Sequence, residues 1–207
     1  MAAAPDLPAW RGELYLETHR GTFTTQAAVK RANRRAELLL REAEILGALA
    51  NLSGAAIDLD ALRPAWQNLL LLQFHDILPG SSIGEVYAEA LQDYAQITRI
   101  GEQVRDRALQ WIAQQAPAAD VLVFNSLSWD RQDIVLAQVE APADAIEVVD
   151  ADGAALPAQV IGRAGSQAVI AFCPSRVPAL GYATFGVRPA ATTPTSSLRV
   201  TAQHLEN

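Results

Sequence analysis

The chain has 207 residues, enough for one large domain or two small ones. Hydrophobic residues make up 50% and charged residues 19%, which is enough apolar material for a packed core and excludes a wholly disordered chain. Sixteen Lys and Arg against 23 Asp and Glu give a net charge of −7, which argues against nonspecific nucleic-acid binding, and no apolar run approaches the ~20 residues of a membrane span.

The amino terminus has no basic segment followed by an apolar one, so it does not read as a signal peptide, and a cytoplasmic location is expected. A strand-like Leu14-Tyr15-Leu16 precedes the loop Thr18-His19-Arg20-Gly21-Thr22. Loops placed between a strand and a helix often carry ligand contacts. Arg20 can donate several hydrogen bonds to sugar hydroxyls, or it can pair with Glu13 or Glu17.

The first helix is expected from Thr24 or Thr25, both suited to the N-cap. Ala32, Ala36, Leu39, Ala43, Leu46 and Ala50 form one apolar stripe, spaced alternately by four and three. Lys30, Arg31, Arg34 and Arg35 make a basic cluster, interleaved with acids a turn later, and read as a solvated face. Glu37 and Arg41 have the favourable order for an exposed pair four residues apart. Asn51, Ser53 and Gly54 end the element.

A second helix follows Asp58 or Asp60, with Pro64 in its first turn. Ala65, Trp66, Leu69, Leu70, Leu71, Leu72 and Phe74 make it apolar nearly all round, so it is expected to be enclosed on several sides. It stops at Ile77-Leu78-Pro79-Gly80, where Pro and Gly suit the centre of a type II turn. The third helix opens with a capping box, Ser82 and Glu85. Its stripe runs Ile83, Tyr87, Ala90, Tyr94, Ile97, Gly101, Val104, Ala108, Trp111, a length of roughly 45 Å at 1.5 Å per residue. Trp66, Tyr87, Tyr94 and Trp111 are expected in the core, while Trp10 and Trp129 lie on no stripe.

After Pro117 the period changes from helical to two. Strands are expected near residues 121–124, 134–136, 146–149, 168–172 and 183–187, with turn signals at Asn125-Ser126, Asp152-Gly153, Gly162, Gly165, Pro174, Pro178 and Gly181. The last ten residues restart a strand. Cys173, the only cysteine, falls in an apolar run and is expected to be a buried, inert thiol. The fold class is α then β: a three-helix bundle, then a partial antiparallel β-sandwich. Both ends look cut, as expected of a piece of a larger protein.

His75-Asp76 is the pair most open to chemistry. A histidine at a helix end can offer a ring nitrogen to a metal, and Asp76 can accept a hydrogen bond from a ligand hydroxyl. Equally, His75 can bond a neighbour and Asp76 can cap a turn. Only His19, His75 and His204 exist, and a complete zinc site needs three or four protein ligands. The two side chains are adjacent in sequence and are expected to diverge.

Four segments resemble the family 38 glycoside hydrolases, the α-mannosidases. They are Leu14-Tyr15-Leu16-Glu17-Thr18-His19-Arg20-Gly21-Thr22-Phe23-Thr24-Thr25-Gln26, Trp66-Gln67-Asn68-Leu69-Leu70-Leu71-Leu72-Gln73-Phe74-His75-Asp76-Ile77-Leu78-Pro79-Gly80-Ser81-Ser82-Ile83, Val123-Phe124-Asn125-Ser126-Leu127-Ser128-Trp129, and Leu205-Glu206-Asn207. The second resembles the bacterial and cytosolic branch; Phe23 stands where the family more often has tyrosine. The resemblance implies residues 1–23 as the tail of an amino-terminal catalytic domain, 24–116 as a three-helix middle domain and 117–207 as the start of a carboxy-terminal β region. It implies a retaining, metal-dependent hydrolysis of α-mannosidic bonds, with a nucleophile and an acid about 5–5.5 Å apart on the part of the enzyme this chain lacks. His75 maps onto a ligand of the metal, usually zinc. Asp76, with Arg20 and His19, maps to substrate contacts. The expected partners are an α-mannoside and the missing catalytic domain, with no nucleic acid and no membrane, and the chain alone is expected to be inactive and to hold no metal. A noncatalytic module that binds a protein or a carbohydrate is the alternative from another class, and a metal-dependent phosphohydrolase is a third.

Overall fold

A computed structural model of the chain describes residues 21–141, 143, 145–190 and 199–206, together with Ala9 and Arg11. The chain divides into two compact units, Met1–Leu109 and Gln110–Asn207. Three helices are followed by antiparallel sheets: α1 (Ala27–Leu52), α2 (Leu62–Leu72), α3 (Gly84–Gln115), then β1 (Val121–Asn125), β2 (Val135–Glu140), β3 (Ile146–Val149), β4 (Ala155–Leu156), β5 (Ala158–Ala164), β6 (Gln167–Phe172), β7 (Gly181–Pro189), β8 (Arg199–Val200) and β9 (Leu205–Glu206).

In the helical unit the four-three stripes become the core. Val29, Ala36, Leu40 and Ala43 of α1 meet Leu62, Ala65, Leu69 and Leu72 of α2 and Tyr87, Ala90, Tyr94 and Ile97 of α3. Gly101 permits a close crossing, because a β-carbon there would lie 2.9 Å from Leu39 Cγ and 3.2 Å from Leu40 Cδ2. Tyr87 and Tyr94 are buried as expected, whereas Trp66 is half-buried, its indole N–H donating to Glu44 Oε1 at 2.9 Å.

Three expectations for the helices are corrected. The first helix begins at Ala27, after Gln26 in the left-handed conformation at φ 52°, and neither threonine caps it. The second helix does follow Asp60, as expected, with Pro64 in its first turn; before it the Asp58 carboxylate accepts from the Asp60 N–H. The third helix opens at Gly84, because the Ser82 hydroxyl donates to the Asp76 carbonyl. Ile83 therefore leaves the stripe and is exposed. Finally, α2 is not enclosed all round: Leu62, Ala65, Leu69 and Leu72 face the core, while Leu70 and Leu71 are 61% and 64% exposed. Two helices pack against α2, and they cover one stripe rather than its whole circumference.

The β unit is built from two sheets. One has the order β1-β7-β3-β4 and the other β2-β6-β5. Inward residues alternate as the pleat requires: Ala168, Ile170 and Phe172 of β6 and Val139 of β2 join Ile146 and Val148 of β3 and Phe185 of β7 in one core. The rings of Phe172 and Phe185 meet edge to face across it, with centroids 5.0 Å apart. All five expected strands form. β4 and β5 were missed because Gly162 reads as a turn; it lies inside β5, at a bulge after Val160. Gly181 likewise opens β7. Beyond the sheets, β8 and β9 make a two-stranded hairpin rather than a single restarted strand. Cys173 is exposed just after β6, against expectation, because the strand ends one residue before it.

Asn125, at the end of β1, is 2% exposed. Its amide donates to the carbonyls of Trp129, Val177 and Pro178, and its carbonyl oxygen accepts from the Leu127 N–H. Removing that amide takes a donor from the partly buried Trp129 and Pro178 carbonyls, while the Val177 carbonyl keeps the Arg131 N–H; a buried polar group left unpaired costs about 1–3 kcal/mol. Asn125→Ala is therefore expected to lower the stability of the β unit by about 2 kcal/mol or more, read as an earlier midpoint in urea. A midpoint equal to the parent's would show that water replaces the amide without cost.

Candidate functional site

The segment between α2 and α3 is short, yet it is held at many points. At its start, Gln73 Nε2 donates to Asn33 Oδ1 at 3.1 Å and to Glu37 Oε1 at 2.9 Å. Asn33 Nδ2 also donates to Glu37 Oε1 at 3.1 Å, and the Tyr94 hydroxyl donates to Asn33 Oδ1 at 3.3 Å. Glu37 completes its bonding with Arg34, so it does not lie on the solvated face expected for it. Burial, with the Glu37 carboxylate second, pushes the Tyr94 phenol up to about 12.

At its end the segment meets the first turn of α1. Lys30 Nζ donates to the carbonyls of Leu78 at 3.0 Å, Pro79 at 3.1 Å and Thr25 at 2.6 Å. Burial lowers its pKa. Lys30 is thus no member of a solvated basic face. Arg31 and Arg35 do line an open groove of about 580 Å³, shared with Leu38, Leu91, Glu102 and Arg105 and away from this segment. Gly80 has φ +97°, in the region that a type II turn requires of its third residue. A β-carbon there would stand 2.2 Å from Thr25 Cγ2.

The middle is tied to α3. The Asp76 carbonyl accepts from the Ser82 hydroxyl at 2.8 Å and the Tyr87 hydroxyl at 3.3 Å, and Tyr87 Oη in turn accepts from the Ser82 N–H at 2.6 Å. The Asp76 carboxylate accepts from the Ser81 hydroxyl at 2.8 Å.

This clamped loop turns its reactive groups outward. The His75 and Asp76 side chains are 76% and 54% exposed, and Phe74, 53% exposed, lies against the imidazole with ring centroids 4.3 Å apart. His75 Nε2 and Asp76 Oδ2 are 3.3 Å apart. The expected divergence of these neighbours is therefore wrong: the loop bends back on itself and brings the two tips together. Tethering the Asp76 main chain from one side leaves its carboxylate free to meet the imidazole on the other.

Among the described residues no three His, Cys, Asp or Glu side chains converge, so they do not form a zinc site by themselves. An exposed imidazole beside a carboxylate suits one position of a larger ligand set. His19 and Arg20 lie outside the described residues. Sequence reasoning missed Lys30, Asn33, Glu37 and Gln73 as residues that hold this loop. The available signal was their spacing, since Lys30, Asn33 and Glu37 fall on one side of a helix at intervals of three and four.

A three-helix unit followed by an antiparallel β unit, with one outward His-Asp pair on a fixed loop, defines the class: a helical middle domain running into a β region. The family model described as "Alpha mannosidase middle domain" matches residues 17–112. Residues 17–112, a little under half of the chain, are thus similar to the middle domain of the α-mannosidases. It is 35% identical over 134 residues to an α-mannosidase of Saccharomyces cerevisiae, covering 63% of this chain and 12% of that one. To α-mannosidase 2C1 of Homo sapiens it is 37% identical over 132 residues, covering 62% and 13%. The chain thus spans about an eighth of the length of these relatives. The fold is shared with the crystal structure of an α-mannosidase from Enterococcus faecalis V583, at a TM-score of 0.69 and 16% identity over 89% of this chain and 26% of that one.

Two measurements check the clamp. Gly80→Ala forces a left-handed alanine against Thr25, and a loss of about 1–3 kcal/mol is expected in a denaturant titration. The chain has four tyrosines. Since the folded pKa of Tyr94 lies above its ordinary value of 10, stability held below pH 10 is expected to fall as the pH rises towards 12. Phenolate absorbance checks this: Tyr94→Phe should remove the titration that lies above pH 10 and flatten the loss.

Proposed function

We propose that this chain supplies the middle domain and the adjoining β region of a retaining, metal-dependent α-mannosidase. The domain division at residues 23 and 116 belongs to the same reading. The observation that carries it is the His75-Asp76 pair, held on a loop clamped from α1 and α3 and turned to solvent, within the span that matches the middle-domain family. Holding exposed groups this firmly makes sense when a ligand must find them in place.

In this reading His75 contributes one nitrogen to a divalent ion, zinc for preference, and Asp76 accepts a hydrogen bond from a mannose hydroxyl. Arg20 and His19 contact the same sugar. The ion would hold sugar hydroxyls. The residues of this chain bind and orient; the nucleophile and the acid are supplied elsewhere in the enzyme. Resemblance to the bacterial and cytosolic branch supports a cytoplasmic location.

The test has two arms. The 207-residue chain is expected to release no product from a chromogenic α-mannoside above a heat-killed control. In the longer enzyme that this reading implies, His75→Ala is expected to lower zinc content and reduce activity at least 10–100-fold, the loss that even supporting residues of a metal site cause. Turnover by the chain alone that disappears with His75→Ala would place the chemistry inside it. Full zinc content in the longer variant would remove His75 from the ligand set and favour the noncatalytic module.

A further inference from the structure

One cation of the helical unit has an unusual task. Lys30 sits one turn into α1 and spends its ammonium group on main-chain carbonyls alone: Thr25, Leu78 and Pro79. A lysine ammonium has three donors, and these three contacts account for all of them. Among the described residues Lys30 makes no ion pair. Its burial works against the charge. A lysine with only a solubilising role would reach for water instead.

The three carbonyls come from two stretches of chain. Thr25 belongs to the segment that begins at Gly21, directly after Arg20 in sequence. Leu78 and Pro79 belong to the loop that carries His75 and Asp76. The Ile77 and Leu78 N–H groups close this loop on the Phe74 carbonyl at 2.9 and 3.1 Å. Whatever fixes Leu78 and Pro79 therefore fixes the turn in which His75 and Asp76 lie. The opposite end of the turn is held from the same helix, through Gln73 on Asn33 and Glu37. Gly80 lets the two stretches touch, since any side chain there would collide with Thr25.

We infer that Lys30 is a positioning residue of the His75-Asp76 site: it joins the chain entering α1 to the loop between α2 and α3 and sets where the imidazole and carboxylate point. The inference rests on the reading of His75 as a metal ligand. Removing the ammonium leaves three partly buried carbonyls without their donor and releases the loop, while the apolar core of the three helices is untouched. The effect is therefore local. Arginine carries several donors but in a planar fork, which does not reproduce a compact ammonium.

The experiment uses the 207-residue chain and three variants, Lys30→Met, Lys30→Arg and His75→Ala. Hydrogen exchange is followed at the amides of Ile77, Leu78 and Gly80 and in the middle of α3. The His75 ring signal is followed by NMR as zinc chloride is raised into the millimolar range. In Lys30→Met the loop amides are expected to exchange roughly tenfold faster or more, an opening equilibrium shifted by one lost set of charge-assisted bonds, with α3 unchanged. The zinc midpoint at His75 is expected to weaken at least threefold, with Lys30→Arg recovering part of it. If Lys30→Met does not fold, Lys30→Gln, which keeps an N–H donor, is expected to show the same pattern at smaller amplitude. Loop exchange equal to the parent's would overturn the inference. So would faster loop exchange with an unchanged zinc midpoint, because Lys30 would then stabilise the loop without positioning the site. Absence of any His75-dependent zinc response in the parent, with faster loop exchange in Lys30→Met, would overturn the metal reading while upholding Lys30 as the residue that fixes the loop.

Discussion

The helical unit turns on a partly buried polar contact among three helices. Asn33 and Glu37 of α1, Gln73 after α2 and Tyr94 of α3 share hydrogen bonds at one level of the unit. Apolar stripes bring helices together but tolerate sliding; hydrogen bonds in a place of low dielectric do not, because an unpaired polar atom there is costly. Among the described residues no buried side-chain nitrogen or oxygen lacks a partner. This contact sets the register of α1, α2 and α3, and with it the position from which the loop after Gln73 departs.

The loop that follows shows how a site can be rigid and open at once. Its main chain is held by Lys30, Ser82 and Tyr87, while its side chains at Phe74, His75 and Asp76 face outward. Order comes from the backbone, while the His75 and Asp76 side chains stay exposed, Asp76 accepting from the Ser81 hydroxyl with one oxygen and facing the imidazole with the other. Such a loop loses little conformational freedom on binding, which is the general advantage of preorganisation. The exposed Leu70 and Leu71 lie just before it on α2, so apolar surface and polar pair adjoin along the chain.

The β unit applies the same device to a different end. Asn125 gathers the carbonyls of Trp129, Val177 and Pro178 around one buried amide. Asp130 then accepts from Arg176 and from the Ala179 N–H, and these contacts hold its carboxyl below the usual carboxylate range. The pair is exposed and screened by solvent, so it orients the connection more than it stabilises it. The sheets themselves need no such help, since alternation along β6, β3 and β7 already places Ile170, Val148 and Phe185 inside.

Much of this was written locally. The stripes Ala36-Ala43-Ala50 and Tyr87-Tyr94-Gly101 determine helices because a period near 3.6 puts them on one face. Alternation around residues 146–149 and 168–172 determines strands for the same kind of reason. The motif Gln73-Phe74-His75-Asp76-Ile77-Leu78-Pro79-Gly80 marked the candidate site, and Gly80 marked its turn. Helix ends were misread at Thr25 and Ser82, because a hydroxyl that can cap a helix can also bond elsewhere, and the choice depends on what lies nearby. Gly162 was misread because a bulge and a turn ask for the same residue. Tertiary structure alone decided which face of α2 is covered, that Lys30 leaves its basic neighbours to hold Leu78 and Pro79, and that His75 and Asp76 converge. Each of these depends on groups on different elements meeting in space, as in the Lys30–Leu78 bond across 48 residues, or on the path of a loop that such bonds impose. A sequence period reports only on neighbours within a turn or a pleat.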